Sequence, residues 1–361
     1  MTNTRRRRPT LDDVAGAVGV SRATVSNAYN RPDQLSSDLR TEVLRAAKRL
    51  GYAGPNPTAR SLATNRTGAI AFMLDAGLSA AFSDPALSIT LDALASAVDP
   101  EGHALLLLPG GEDGGPRVDR VLAAQADIAV TYSLADGAPA LRAIRDRGLP
   151  LVTIDHGPIP GAARVNIDDR GGAVAAARHL VDLGHRRFAI LTAPCFSSPV
   201  GGPIEAIETE AGRFHYYRER MAGYLETLAG AGIDTGSVPI WEAAGSSTEE
   251  VVPGARDLLE RHPRPTAVLC LSDQLAPGVL SAARQLGISV PGDLSVVGFD
   301  DAPAARWSDP TLTTVRQDLV GKGRLAGEAV VRMLSGHRTP APTTLDVELV
   351  IRGSTGPAPK R

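Results

Sequence analysis

The chain has 361 residues, 43% of them apolar, with 38 Lys and Arg against 40 Asp and Glu. That is the composition of a soluble globular protein with two or three domains. No uninterrupted apolar run reaches membrane-spanning length. Cys195 and Cys270 offer neither a disulfide framework nor a metal spacing, so no metal, cofactor or membrane partner is expected. The Arg5–Arg8 run is followed by Asp12 and Asp13 instead of an apolar h-region, so the chain is expected to stay in the cytoplasm.

The net charge of −2 hides a split. Residues 1–66 hold 12 basic and 5 acidic side chains, whereas the rest hold 26 and 35. A small electropositive module on a larger acidic body suits contact with a polyphosphate. Within the module, Thr10 followed by Asp13 reads as a capping box, and Leu11, Val14, Ala15 and Val18 fall at helical spacing. Gly19 supplies a turn that needs positive φ, and Ser21 caps a second helix with Val25 and Tyr29 inward. Two short helices joined this way make a helix-turn-helix. The polar face of the second carries Arg22, Thr24, Ser26, Asn27 and Asn30, with no acid. Arg pairs with guanine, Asn with adenine, and Ser or Thr with phosphate or base. A solvated amphipathic pair has the same pattern, and the rest of the chain decides between the two.

A third helix after Ser36 or Ser37 has Leu39, Val43, Ala46, Ala47 and Leu50 as its apolar stripe and ends at Gly51. Asn56 and Pro57 then open a segment to about Thr64, too short to be stable alone, which reads as a hinge that folds on binding or as a plain linker. From Gly68 apolar strand runs alternate with helical patterns: GAIAFML, HALLLLP, DIAVTYS, LVTID, and after Val165 FAILTA, VPIWEA, TAVLCLS and LSVVGFD. The alternation means doubly wound parallel α/β sheets, too many strands for one, hence two lobes with a cleft. Ligands in such sheets sit beyond the carboxyl ends of strands, which points to Asp75, Ser133, Asp155, Ser272 and Asp300.

Over nearly its whole length the chain resembles the lac repressor (LacI–GalR) family of bacterial transcription regulators. The resemblance is carried by TLDDVAGAVGVSRATVSNAYN, ARSLA, LGHRRFAIL, SDQLAPGVL and LSVVGFDD with PTLTTVRQD. It implies an N-terminal all-α helix-turn-helix domain (1–54), a hinge helix and linker (55–67), and a periplasmic-binding-protein-like core (68–353). The N-lobe is expected at about 68–167 and 318–344, the C-lobe at about 168–317 and 345–353, and a tail at 354–361. Crossovers fall near 165–170, 315–319 and 343–347. The implied partners are a double-stranded DNA operator, a second copy of the chain and a small-molecule effector, for which a sugar or related metabolite is the expectation.

The resemblance assigns base reading to Arg22, Ala23 and Asn27, and phosphate contacts or register to Ser21, Thr24, Ser26 and Asn30. Thr10, Tyr52, Asn56, Ala59 and Leu62 complete the DNA-contacting set, Leu62 as the wedge into a central base step. Asp75, Phe82, Ser133, Asp155, Arg220, Ser272, Asp273 and Asp300 form the effector set. Arg220 could instead pair with Asp273 or Glu219, and Asp301 is either a strand-end turn or a ligand contact. The sequence departs from the family at Pro57, at an extra residue before Pro55–Asn56, in a longer run from Cys195 to Ala211 beside the cleft (lid, partner surface or loop), and at Ser247, where some sugar-responsive members stack a Trp. Pro277 is expected to remove an early helix bond. A solute-binding transport protein would share the body but not the basic module, and an enzyme finds no catalytic motif. GKGRLAG at Gly321 is only loosely a phosphate loop, and Asp155–His156 lacks a nucleophile. The tail lacks leucine heptads, so a dimer is expected and not a tetramer.

Overall fold

A computed structural model describes residues 9–54, 61, 66–111, 114–196, 201–205 and 211–360. They belong to two units, 1–67 and 68–361. In the first, α1 (Leu11–Val18), α2 (Arg22–Asn30) and α3 (Ser37–Leu50) enclose one small core. α1 begins with a reciprocal cap: the Asp13 N–H donates to the Thr10 hydroxyl at 3.4 Å, and the Thr10 N–H to the Asp13 carboxylate at 2.7 Å. Gly19, at φ 76°, turns the chain into α2, whose cap is the Ser21 hydroxyl accepting from the Thr24 N–H at 3.0 Å. Val14, Val25 and Val43, one from each helix, are fully buried, with alanines between them. Tyr29 is only half-buried and meets the Tyr52 ring edge-on; Leu50, expected in the stripe, stays exposed.

The second unit holds two sheets. β1 (Ala69–Leu74), β2 (Ala104–Leu108), β3 (Ile128–Tyr132), β4 (Leu151–Ile154), β5 (Ala163–Ile167) and β12 (Thr343–Leu345) pair entirely in parallel, in the order β12-β5-β4-β3-β1-β2. β6 (Phe188–Thr192), β7 (Gly202–Ile204), β8 (Ile240–Glu242), β9 (Ala267–Cys270), β10 (Ser295–Asp300), β11 (Thr313–Gln317) and β13 (Val347–Val350) form the other, β13-β11-β10-β9-β6-β8-β7. Its two edge strands, β13 and β7, run antiparallel. The first lobe carries α4 (Leu78–Ser83), α5 (Pro85–Val98), α6 (Val118–Ala123), α7 (Pro139–Asp146) and α12 (Leu319–Leu334). The second carries α8 (Asp169–Asp182), α9 (His215–Gly230), α10 (Thr248–Glu260) and α11 (Ala276–Gln285). Helices on both faces explain why β1, β3, β6 and β9 read as nearly continuous apolar runs: both sides of each strand are largely buried.

The chain crosses between lobes at Asp168, Asp318 and Asp346. The first two crossings use one local device. Asp168 caps α8 by accepting from the Gly171 N–H at 2.9 Å, and Asp318 caps α12 from the Gly321 N–H at 2.8 Å. A Cβ on either glycine would lie 2.1 Å from the second oxygen of the capping carboxylate, so a larger residue there would have to turn the capping side chain aside. Leu345 still pairs with Ile167 in the first sheet, so the third crossing follows it, at Asp346, inside the 343–347 span.

Three local expectations change. Part of the 195–211 run is an edge strand, β7, paired with β8. Pro277 sits in the first turn of α11, where its missing N–H has no helical partner to lose, so no helix bond is forfeited. The segment after 353 does not trail as a tail. Ser354 is fully buried, accepts from the Thr313 N–H at 2.8 Å and donates to the Val296 carbonyl at 2.6 Å, while the His185 ring reaches the Gly356 carbonyl at 3.1 Å.

Candidate functional site

Four non-glycine residues among those described have left-handed backbone, and all four lie at carboxyl ends of strands: Ser133 (φ 46°), Asp155 (53°), Asp300 (123°) and Asp301 (52°). Short polar side chains enter this region more readily than others, and residues held there cluster at binding sites. Three of the four belong to the residues that strand-end reasoning singles out.

A chain of charged contacts joins the two lobes behind these ends. Arg220, on α9, donates its Nε to Asp169 Oδ1 at 2.8 Å and an Nη to the Leu271 carbonyl at 2.5 Å, and lies 3.6 Å from Asp300 Oδ1. Its guanidinium is held over the Phe299 ring, 3.6 Å from the centroid. Asp300 Oδ1 also accepts from Gln317 Nε2 at 2.6 Å. Lys322 Nζ completes the chain, donating to Gln317 Oε1 and to Asp155 Oδ2, each at 2.6 Å. All six side chains are buried, and Lys322 has no exposed surface. Burial pushes Asp169 up to about 6 and Asp300 up to about 7, with Arg220 pulling both down. Burial alone would lower the Arg220 guanidinium, but Asp169 and Asp300 outweigh it and hold it above its ordinary value. The partners of Arg220 are therefore Asp169 and Asp300, and neither Asp273 nor Glu219.

Other expected residues fall differently. Asp273 spends both oxygens inside the C-lobe, accepting from Thr314 Oγ1 at 2.6 Å and from the Ala302 N–H at 2.8 Å. Asp301 takes the strand-end alternative: its buried carboxylate binds Arg316 at 2.8 Å, Arg306 at 3.4 Å and Arg352 at 2.5 Å. The Ser272 hydroxyl accepts from the Gln274 N–H at 3.2 Å, and Ser247 caps α10. Phe82 lies on α4 with most of its surface exposed. Asp75, half-buried after β1, is lifted to about 7, first by burial and then, among raising causes, by Asp84. Lys322, Gln317 and Asp169 escaped sequence reasoning, although Gln317 and Asp169 border crossovers that it located.

A second inter-lobe contact forms around Asp136, just beyond β3. Its N–H donates to the Arg213 carbonyl at 2.7 Å, and its carboxylate binds Arg218 of α9 and stands 3.2 Å from His156 Nε2. His156 itself is fixed by Asn166, whose Nδ2 donates to its carbonyl at 3.0 Å. Asp155 thus belongs to the first bridge between lobes, while His156 stands beside Asp136 of the second from within the same lobe.

In the first unit, α2 presents Arg22, Ala23, Thr24, Ser26 and Asn27 with no acidic side chain. Arg22 Nε rests 3.1 Å from Asp12 on α1, both exposed, and Asn27 donates to Gln34 at 3.3 Å. Ser21 and Thr24 share a hydroxyl contact of 2.9 Å, and the Thr10 hydroxyl donates to Asp13 at 2.8 Å. Asn30 closes α2. Asn56, Ala59 and Leu62 lie outside the described residues.

Residues 10–56 match the profile of bacterial regulatory proteins of the lacI family, and residues 177–355 that of a periplasmic binding protein-like domain. A transcriptional regulator of Mycolicibacterium smegmatis is 39% identical over 362 residues, covering 97% of each chain. The chain belongs to the lacI family. Among solved structures, a lac repressor dimer bound to operator and the anti-inducer ONPF is 25% identical to this LacI-family chain, with a TM-score of 0.77 over 97% of this chain and 100% of that one. The regulator CelR in complex with cellobiose is 28% identical, with a TM-score of 0.69 over 96% and 100%. This LacI-family protein is a DNA-binding transcription regulator, and its relatives are named regulators, not enzymes.

Proposed function

We propose that this LacI-family regulator is a repressor that binds a near-palindromic operator as a homodimer and is released or retained by a small molecule held between its lobes. The observation that supports this reading most is the buried chain Asp155–Lys322–Gln317–Asp300–Arg220, which ties one lobe to the other through the candidate ligand positions. A ligand that competes for those groups in one lobe arrangement and not in the other shifts the balance between the two arrangements. The 55–67 stretch then transmits the change by folding, or failing to fold, with its counterpart on DNA. Arg22, Ala23 and Asn27 read bases, and Ser21, Thr24, Ser26 and Asn30 set register. The cellobiose carried by CelR supports a sugar as the first effector class to try.

A second copy has a face to dock on. A groove of about 600 Å³ runs between α5 and α12, lined by Ile89, Ala93, Ala97 and Val320 with Asp92 and Arg324 at hand. Leu106, on the edge strand β2, adds exposed apolar surface to the same lobe. Footprinting of the purified chain on palindromic DNA at low salt tests the whole reading. Protection of two half-sites is expected either without ligand or with added sugar; a duplex left evenly cleaved in both conditions contradicts it.

A further inference from the structure

The strand orders gather the three crossings at one side of the second unit. β5 and β12 are the last two strands at one edge of the first sheet, and β11 and β13 the last two at one edge of the second. Asp346 by itself links β12 to β13, so these two edges abut. The opposite edges are β2 and β7. A rotation of one lobe on the other pivots at the connected side, and groups move in proportion to their distance from it.

The two inter-lobe contacts differ in this respect. Gln317, Lys322 and Asp169 lie within one helical turn of Asp318 or Asp168, beside the crossings. The contact around Asp136 is formed farther out. Asp136 follows β3 and Gly114 follows β2, while Cys195 follows β6 and Arg213 lies between β7 and α9. Across the gap the Asp136 N–H donates to the Arg213 carbonyl at 2.7 Å, and Arg218 binds the Asp136 carboxylate. Each side is braced within its own lobe. The Arg213 N–H donates to the Cys195 carbonyl at 2.8 Å and Arg218 to the Gly212 carbonyl at 2.7 Å, while the Ala135 N–H donates to the Gly114 carbonyl at 3.1 Å. The Arg213 guanidinium lies over the Gly114 backbone, where a Cβ would run into it and into Ala135.

With strands about 4.8 Å apart, β3 and β2 stand about 10 and 19 Å from β5, so an opening of about 10° carries their loops about 2–3 Å. That breaks a 2.7 Å hydrogen bond, whereas groups beside the crossings move far less. Exposure differs in the same sense. The Arg218 and Asp136 side chains are 29% and 36% exposed, and Lys322 is 0% exposed. An ion pair that water reaches shifts an equilibrium by at most about fivefold, whereas breaking a buried pair is far more costly.

We infer that the loops 133–138 and 212–218 form a latch at the mouth of the cleft, which releases and re-forms while the Lys322 chain holds as the pivot. A molecule then enters or leaves past Asp136 and Arg213 before any buried charge has to part. This goes beyond the regulator reading and holds whether or not the chain represses.

Hydrogen exchange of the full chain, read by mass spectrometry, tests it. In the 133–138 loop the N–H groups of Ser133, Ala135 and Ala138 bond to the Ile154, Gly114 and Ala135 carbonyls of the same lobe, whereas that of Asp136 bonds across. Arg218→Gln removes the ion pair and should speed exchange of the peptide carrying Asp136 by at least about threefold. Peptides over 166–172 and 317–323, at the crossings, should keep their rates. Asp136→Asn removes the same pair from the other lobe and should give the same pattern. The inference is overturned if either variant produces a smaller rise at Asp136. It is overturned equally if the crossing peptides speed up by the same factor, since the lobes would then part without a pivot. Because the measurement reads amides and not DNA, its failure leaves the repressor reading to the footprint.

Discussion

Replacing Lys322 with Met tests the inter-lobe chain directly. Met fills nearly the same volume and keeps the apolar contacts of the stem, so the change isolates the ammonium. In the parent chain Nζ makes two 2.6 Å bonds, to Asp155 and Gln317, with no part of the side chain exposed. Taking away one partner of a buried pair typically costs about 3–5 kcal/mol, because the other charge stays behind without compensation. At about 2 °C of Tm per kcal/mol for a unit of this size, Lys322→Met should lower the core transition by roughly 6–10 °C in scanning calorimetry. Adding Asp155→Asn removes the stranded carboxylate and should recover a large part of the loss. The cycle of single and double variants should show a coupling of about 2 kcal/mol or more. If Lys322→Met costs under about 1 kcal/mol, or the two changes simply add, the lobes are not held through this pair.

The remaining expectations concern four other places. Arg22→Ala should cost about 1–3 kcal/mol on the preferred operator and relax one base position, measured by binding to a set of singly altered sites; equal loss on random DNA contradicts base reading. Asp301→Asn strands Arg352, whose side chain is 14% exposed, and should cost about 3 kcal/mol in urea unfolding, whereas Arg306 and Arg316 face solvent and matter little. Burial would raise Asp301, but Arg316 and Arg352 hold it below its ordinary 3.8, so the stability it contributes is present above that value and lost as pH falls further. Asp75 and Asp300 act in the opposite sense: raised to about 7, they keep protons in the folded chain that the unfolded chain has already released, so their contribution makes stability decline as pH rises from about 4 to about 7. A Tm profile in which Asp75→Asn leaves that slope unchanged would refute the assignment. Asp136→Asn weakens the second bridge and should raise the radius of gyration in X-ray scattering; superimposable curves would show that the lobes do not depend on it.

Much of this was legible beforehand because it is local. A capping box, a glycine at positive φ and an apolar strand run are each set by neighbours within a few residues, so Thr10, Gly19 and the β/α alternation could be read directly. Strand ends follow from the same alternation, which points to Asp155 and Asp300. Lys322 was invisible for the opposite reason. It lies in a helix beside glycines, and Gly323 is required by close packing: a Cβ there would stand 2.1 Å from the Thr90 carbonyl of α5. Nothing in GKGRLAG shows that the lysine between those glycines is enclosed, because its partners Asp155 and Gln317 come from a different strand and a crossover. Asp136, His156 and Arg218 are likewise brought together only by the tertiary fold. Asp301 shows the limit of a two-residue motif: the paired aspartates look equivalent, yet one joins the inter-lobe chain and its neighbour anchors three arginines.

The left-handed backbone at Ser133, Asp155 and Asp300 also bears on how such a regulator diversifies. Most side chains resist that conformation, and glycine or asparagine are the ready replacements. A mutational search for altered ligand preference would therefore find few acceptable exchanges along this rim. New preferences should arise first at the walls with ordinary backbone, around Asp75 and Phe82, while the rim stays chemically conservative.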